Sequence, residues 1–526
     1  MSSVASTPET PRPSATRQGS RVVIVGGGPG GYEAAITAAR LGASVTLIED
    51  RGLGGAAVLT DVVPSKSLIA TAEWLTIAER APLLGLRFGQ RPLKKAMVDD
   101  VAAGAPPQPP AGAEAGTAGE ADAGAGRSQR ERYVQVDLAA VNERVRRLAF
   151  EQSVDIEATL QRAGVRVLHG RGTLLPTLTG PGVRTVRATF PDGRYEDCEA
   201  EFVLLAVGAH PRELPAGRPD GERILTWAQL YNLKELPEHL IVIGSGVTGV
   251  ELANAYLLLG VRVTLVSSRP GVLPGHEPEA AELIEETLRA RGMEIVTSAR
   301  AVAVERNEEA PEGGAVTVTL EDGRTLAGSH CLVAVGASPN TARLGLENAG
   351  VELSASGHIQ VDRVSRTTAF RVYAAGDCTG VLPLASVAAM QGRVAMWHAL
   401  GDSVTPLDTG DVAATIFTSP EIATVGVQPH HVEERGLDCF VPRLPLPRNP
   451  RAKMLGIHSG FIKLVISRRD GLILGGVVVG PRASELILPV ALAVQQHLTA
   501  ADLAGMITVY PSLSGSIVEA ARAVED

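Results

Sequence analysis

Short apolar runs that pass through glycine-rich turns into Ala-rich helical stretches occur twice in this chain, and they set its expected architecture. The first run, residues 22–25, is β-branched; the chain turns through Gly26 to Gly31 and enters a helical pattern over residues 32–41. A second strand, residues 44–48, ends at Glu49. Strand, glycine turn, helix and strand in this order predict a dinucleotide-binding unit. Gly26 permits the tight turn, Gly28 lets the backbone approach a pyrophosphate, and Gly31 lets helix and strand pack closely. The helix N-terminus then faces the phosphates. Glu49 lies about 20 residues past the glycines, where such a unit puts the acid that binds a ribose hydroxyl.

Residues 67–80 read as an amphipathic helix. Residues 99–130 are nearly all Ala, Gly, Pro, Glu and Asp, so they predict a disordered surface insertion with little to bury. Helical periodicity returns over residues 136–164. Short strands follow at 165–168, 183–190 and 202–207, with Gly170-Arg171-Gly172 and Gly208 as punctuation, and they are expected to complete the first sheet. The second glycine turn joins a strand at 240–243 to a helix at 250–259 through Gly244, Gly246 and Gly249. Its next strand, 261–266, ends in Ser267, Ser268 and Arg269 rather than an acid. Hydroxyls and a guanidinium can hold a 2′-phosphate that a carboxylate would repel, so NADPH is expected over NADH. The unit closes with residues 331–337, and a strand at 371–375 then ends in Gly376 and Asp377, placed to bind a sugar or ribityl hydroxyl. From residue 412, strands at 462–466 and 472–479 precede helices at 484–497 and 500–506, a C-terminal α+β unit.

Composition narrows the class. At 526 residues the chain has room for roughly three or four domains. A net charge of −9, from 49 basic and 58 acidic residues, argues against nucleic acid as a partner. The cysteines Cys198, Cys331, Cys378 and Cys439 form no CxxC pair, so they predict reduced structural thiols and no metal site. No stretch approaches the length of a transmembrane segment. Residues 1–20 are rich in Ser, Thr and Pro without a signal-like apolar core, which predicts a disordered tail on a cytoplasmic protein.

Six motifs go further: VVIVGGGPGG, the PSK of Pro64-Ser65-Lys66, AVGA at 206–209, IGSGVTGVE ending at Glu251, YAAGDC around Asp377, and FTSPEIATVG at 417–426. Together they resemble the flavoprotein disulfide reductases, most closely those like dihydrolipoamide dehydrogenase, over nearly all the chain except the tail and the insertion. The resemblance implies an α/β chain with two Rossmann-like domains and a C-terminal α+β dimerisation domain. FAD is expected on residues 21–215 and 346–411, NAD(P) on 216–345, and a homodimer interface on 412–526. It implies FAD contacts at Gly26, Gly28, Gly31, Glu49, Lys66, Gly172, Val207, Gly208, Ala209, Asp377, Pro383, Leu384, Ala385 and Ser386. For NAD(P), the expected contacts are Gly244, Gly246, Gly249, Glu251, Ser267, Arg269 and Gly336. Lys66 and Glu251 match the charged pair beside the flavin ring.

The resemblance breaks at the thiol chemistry. Such enzymes carry a redox disulfide in a CxxxxC just ahead of PSK; here Ala57 and Val62 occupy those positions, and neither can form a mixed disulfide. Their His-Pro, with a Glu further on, is replaced by Tyr510-Pro511 with Gly515 at the acid's place. Intact nucleotide turns without a dithiol relay predict an NAD(P)H dehydrogenase that passes electrons from flavin directly to a diffusible acceptor. A quinone is expected, since the subset of relatives with a degraded cysteine motif is known as NAD(P)H quinone reductases and a planar ring could stack at the small vacated positions. Tyr510 is either a proton source through its hydroxyl or a packing residue of the dimer. The alternatives are a soluble NAD(P) transhydrogenase and a redox-inert nucleotide-binding scaffold or sensor.

Overall fold

The computed structural model describes residues 19–80, 135–176, 182–307 and 315–523. The expected insertion and residues 1–18 of the expected tail lie outside the described residues.

The first sheet has five parallel strands in the order Val372–Ala374, Phe202–Leu205, Arg21–Val25, Ser44–Glu49 and Arg166–His169. Its central strand is covered on both faces, which is why it reads as a continuous apolar run. The edge strand Val372–Ala374 arrives from beyond the second unit, and this late return brings Asp377 next to the first glycine turn. The second sheet repeats the plan with Glu294–Val296, Arg262–Val266, His239–Ile243, His330–Val333 and Ile224–Thr226, again all parallel.

Each parallel sheet has an antiparallel three-stranded companion: Arg171–Leu174, Arg184–Thr189 and Tyr195–Ala200 in the first unit, and Ala301–Arg306, Val316–Leu320 and Thr325–Gly328 in the second. The stretch 183–190 therefore does not complete the parallel sheet as expected. Its residues are mostly half-buried with alternating buried positions, and a short connection lets it pair with the next strand as a hairpin.

The two units meet where Ala209–Pro211 pairs antiparallel with Ala337–Pro339, the chain's outward and homeward crossings. The C-terminal unit is a six-stranded sheet centred on Phe461–Ser467 and Ile473–Gly480. Phe461, Val477 and Val479 share a core with Tyr256 and Leu68, so all three units are packed together.

Two helix limits differ from expectation for the same reason. The helix expected at 67–80 is Val62–Arg80, because Pro64 falls in its first turn, where a missing N–H goes unnoticed. The helix expected at 484–497 is split into Ala483–Leu486 and Leu488–Gln495, because Pro489 cannot continue the hydrogen-bond ladder across the join.

Candidate active site

The glycines of each turn divide into those the protein itself needs and one it does not. Gly26 has φ +103°, and a Cβ there would lie 2.3 Å from the Ala206 carbonyl oxygen; at Gly31 a Cβ would lie 1.8 Å from the Gly26 oxygen. At Gly28 the backbone is ordinary, φ −71°, and the nearest atom to a Cβ would be the Gly55 Cα at 3.9 Å. The second turn repeats this, with clashes of 2.2 Å at Gly244 and 1.9 Å at Gly249 and nothing within 4 Å at Gly246. Space kept open at the middle glycine fits a phosphate group at each helix N-terminus.

A cavity of about 360 Å³ opens at the first turn. Of the expected FAD residues, Gly26, Gly28, Glu49, Gly172, Val207, Gly208, Ala209, Asp377, Pro383 and Ala385 line it, together with Ala57 and Val62. Gly31, Leu384, Ser386 and Lys66 are not among the lining residues. Leu384 and Ser386 flank the start of the helix Ala385–Leu400. Glu49 is buried; its carboxylate accepts hydrogen bonds from the Gly27 N–H (2.5 Å), the Arg51 N–H (2.7 Å) and the Gly52 N–H (3.3 Å). A carboxylate offers about four acceptor sites, so one stays free for a ribose hydroxyl. Burial pushes the Asp377 carboxyl up, opposed by His358. Asn340 was not singled out for this site: its side chain donates to Val207 O (2.9 Å) and pairs with His210 Nδ1 (2.7 Å), tying the homeward crossing to the cavity wall.

Lys66 and Glu251 do meet: Nζ lies 2.8 Å from Oε2, and the other Glu251 oxygen accepts from the Phe417 N–H at 2.8 Å. One carboxylate, 4 % exposed, thus joins a helix of the first unit, a helix of the second and a strand end of the third. Paired and hydrogen-bonded, it satisfies the conditions under which a buried charge is tolerated.

Other expected residues lie apart. Tyr510 is 82 % exposed and does not line the cavity of its own chain, so any acid–base role for it requires a second copy. Gly336, φ +97° with an open Cβ position, turns the chain into the homeward crossing. Ser267 departs from its expected role: it is fully buried, and its hydroxyl is held by Ser245 Oγ (2.7 Å) and Gly271 O (2.9 Å) while accepting from the Arg269 N–H (3.1 Å). It shapes the turn, and the exposed Ser268 and Arg269 are left to face a ligand. All four cysteines are free, and burial pushes the thiol of Cys378 up to about 12, so it stays protonated. A second cavity residue went unmarked in the sequence: Asp61, an acid between Thr60 and Val62 just ahead of PSK.

The chain matches the family described as "Pyridine nucleotide-disulphide oxidoreductase" over residues 20–392 and that family's dimerisation domain over residues 412–521. It is 47% identical over 505 residues to a Mycobacterium tuberculosis protein named NAD(P)H dehydrogenase (quinone), covering 95% of this chain and 93% of the relative. Dihydrolipoyl dehydrogenase of Geobacillus stearothermophilus is 31% identical over 503 residues, covering 95% of each chain. Among solved structures, LpdA from Mycobacterium tuberculosis matches with a TM-score of 0.84 at 47% identity, covering 96% of this chain and 99% of that one. The flavoprotein disulfide reductase RclA from Escherichia coli shares the fold at a TM-score of 0.77 and 23% identity, covering 96% of this chain and 100% of that one. The chain therefore belongs to the pyridine nucleotide-disulphide oxidoreductase family, whose cofactors are FAD and NAD(P)H.

Proposed function

We propose that this protein is an FAD-dependent NAD(P)H dehydrogenase that reduces quinones without a redox disulfide. The observation that carries the reading is the cavity wall: Ala57 and Val62 stand in the lining where the family's two sulfurs belong, and the glycines of both dinucleotide turns keep their spacing. FAD, when bound, accepts a two-electron equivalent from the nicotinamide and passes it on. The chain's own residues bind and orient. Glu49 takes the ribose at the first turn, Asp377 the ribityl chain, and the Lys66–Glu251 pair stands at the ring. Gly246 and Arg269 take the nicotinamide dinucleotide, with NADPH used at least as well as NADH. The relative named for quinone reduction supports the choice of acceptor.

We further divide the chain into FAD-binding segments 21–215 and 346–411, an NAD(P)-binding domain 216–345 and a dimerisation domain 412–526. A homodimer is consistent with the apolar and aromatic side chains of Ile507, Val509 and Tyr510, which stand exposed in the single chain. Among the described residues no helix is long and apolar enough to cross a membrane, and the use of a charged dinucleotide reductant supports a cytoplasmic location.

The test is an acceptor screen on flavin-loaded protein with NADPH as donor. Quinone turnover well above that of free FAD, with no lipoamide or glutathione disulfide reduction, is the expected result. Faster reduction of NAD analogues than of quinones would make the protein a transhydrogenase. Failure of NADPH to bleach the flavin would make it inert.

A further inference from the structure

Where the two sulfurs are missing, the cavity wall holds an acid that the reading above leaves without a task. Asp61 stands four residues after Ala57, one before Val62, and directly before the helix Val62–Arg80. An aspartate there ordinarily caps the helix by accepting an N–H two or three residues in. The third residue is Pro64, which has no N–H. Among the described residues no donor hydrogen-bonds the Asp61 carboxylate. Its backbone alone is tied, the N–H to Ala56 O and the C=O to the Ser65 N–H, both at 2.8 Å.

Asp61 is half-buried and lines the cavity. Burial without hydrogen bonds disfavours the charged form. Burial first, then the charges of Glu251 and Asp377, push Asp61 up to about 6 against the pull of Lys66. Its charge acts on Tyr231, whose buried hydroxyl has no hydrogen-bond partner among the described residues. Ser65 is beside it but turns its own hydroxyl to Val62 O at 3.2 Å. Burial and the charge of Asp61 hold Tyr231 well above the usual phenol range, so it keeps its proton. Both oxygens of Glu251 are taken. Glu49, Asp50, Arg51, Arg171, His210 and Asp377 are the other charged or titratable residues of the lining, and none of them adjoins a vacated sulfur position in the chain.

We propose that Asp61 is the catalytic acid that protonates the reduced acceptor, a role that rests on the quinone reading. A quinone becomes a hydroquinone by taking up two electrons and two protons. Reduced flavin supplies the electrons and one proton; the Asp61 O–H breaks as the second quinol O–H forms. Water at the cavity mouth then reprotonates the carboxylate.

The experiment uses the flavin-loaded protein with NADPH and 1,4-benzoquinone from pH 5 to 8. Wild-type turnover should be level below about pH 6 and fall roughly tenfold per unit above it, as the acid form is lost. Asp61→Asn should lose about a hundredfold at pH 6, the low side of the range for general acids, and flatten the profile. Asp61→Glu should recover part of the rate with a shifted midpoint. Without turnover, the absorbance of the bound flavin should titrate with a midpoint near pH 6 in the wild type and show no such step in Asp61→Asn. A wild-type rate and profile in Asp61→Asn, or an unaltered flavin titration, would overturn the proposal and leave the quinone reading standing. If Tyr510→Phe flattens the profile instead, the tyrosine is the acid. A wild-type rate no better than free FAD defeats the quinone reading itself before any variant is compared.

Discussion

The two glycine turns make the same demands on the backbone, yet their surroundings differ in kind. In both, the first and third glycines are needed by the protein's own carbonyls and the middle one is left open. Two residues past the third glycine each helix carries an acid, Glu33 in the first and Glu251 in the second. Glu33 meets Arg393 at 3.1 Å with side-chain exposures near 30 % on both sides, whereas Glu251 is closed off where three units meet. At the end of the following strand one turn presents Glu49 to a cavity and the other buries Ser267. The shared backbone pattern thus follows from packing each turn against its own carbonyls, while the side chains around the two turns make different contacts.

The comparison is broken most forcefully through the glycines. Gly31→Ala or Gly249→Ala would put a methyl group within 2 Å of a carbonyl oxygen, closer than any packing allows. Each should cost more than about 3 kcal/mol, seen as a large fall in Tm or as failure to yield folded protein. Gly28→Val and Gly246→Val meet no protein atom closer than ordinary contact at Cβ, so both should fold. The first should be isolated without flavin; the second should keep flavin and lose affinity for NADPH. Full flavin content in Gly28→Val would show that the open space is not the pyrophosphate site.

The paired acids give the next largest difference. Glu251→Ala strands the Lys66 ammonium and the Phe417 N–H, and should cost about 3–5 kcal/mol. Glu33→Ala breaks a partly exposed pair and should cost about 1 kcal/mol or less. Chemical denaturation of the two variants measures both, and equal losses would mean that the inter-unit junction adds nothing.

Asp61 has no counterpart in the second turn, and it makes the first region pH-sensitive. Its carboxyl is raised by burial to about 6, so the folded chain holds this proton more tightly than the unfolded chain does. Stability from this group is therefore complete below about pH 4 and is lost as pH rises through about 6. Asp61→Asn removes the loss. It should be more stable than wild type by on the order of 2 kcal/mol at pH 7 and gain nothing at pH 4. Urea unfolding at the two pH values decides it; a gain of equal size at both would point to packing rather than charge.

Much of this was legible because glycine, proline and strand-end residues act locally. Both parallel sheets, both turns and the order of the units follow from apolar runs and the breaks between them. The Lys66–Glu251 contact came from resemblance, since 185 residues separate the partners and no spacing rule spans that distance. The antiparallel companion sheets were missed because half-buried strands such as Arg184–Thr189 look alike whichever partner they take. Asp61 was missed because its chemistry depends on an absence, the N–H that Pro64 lacks, which shows once the helix is known to begin at Val62. Ser267 was misread because a strand-end hydroxyl can point outward or into its own turn, and sequence does not say which.

That last misreading sharpens the cofactor question to one side chain. With the Ser267 hydroxyl held by Ser245 Oγ and Gly271 O, the exposed groups at the strand end are Ser268 and Arg269. Among the described residues the Arg269 guanidinium has no partner, so it is free to meet a 2′-phosphate. A hydrogen bond to a charged group contributes about 1.5–3 kcal/mol. Exposure and screening by salt put this one at the low end, roughly tenfold in affinity. Arg269→Ala should therefore raise KM for NADPH about tenfold, leave KM for NADH within about twofold, and lose part of its effect in high salt. Ser267→Ala should lower stability slightly by loosening the turn without changing the ratio of kcat/KM between the two cofactors. The reverse result, a changed ratio in Ser267→Ala and none in Arg269→Ala, would mean that the turn opens when the dinucleotide binds and that the buried hydroxyl is the one that reads it.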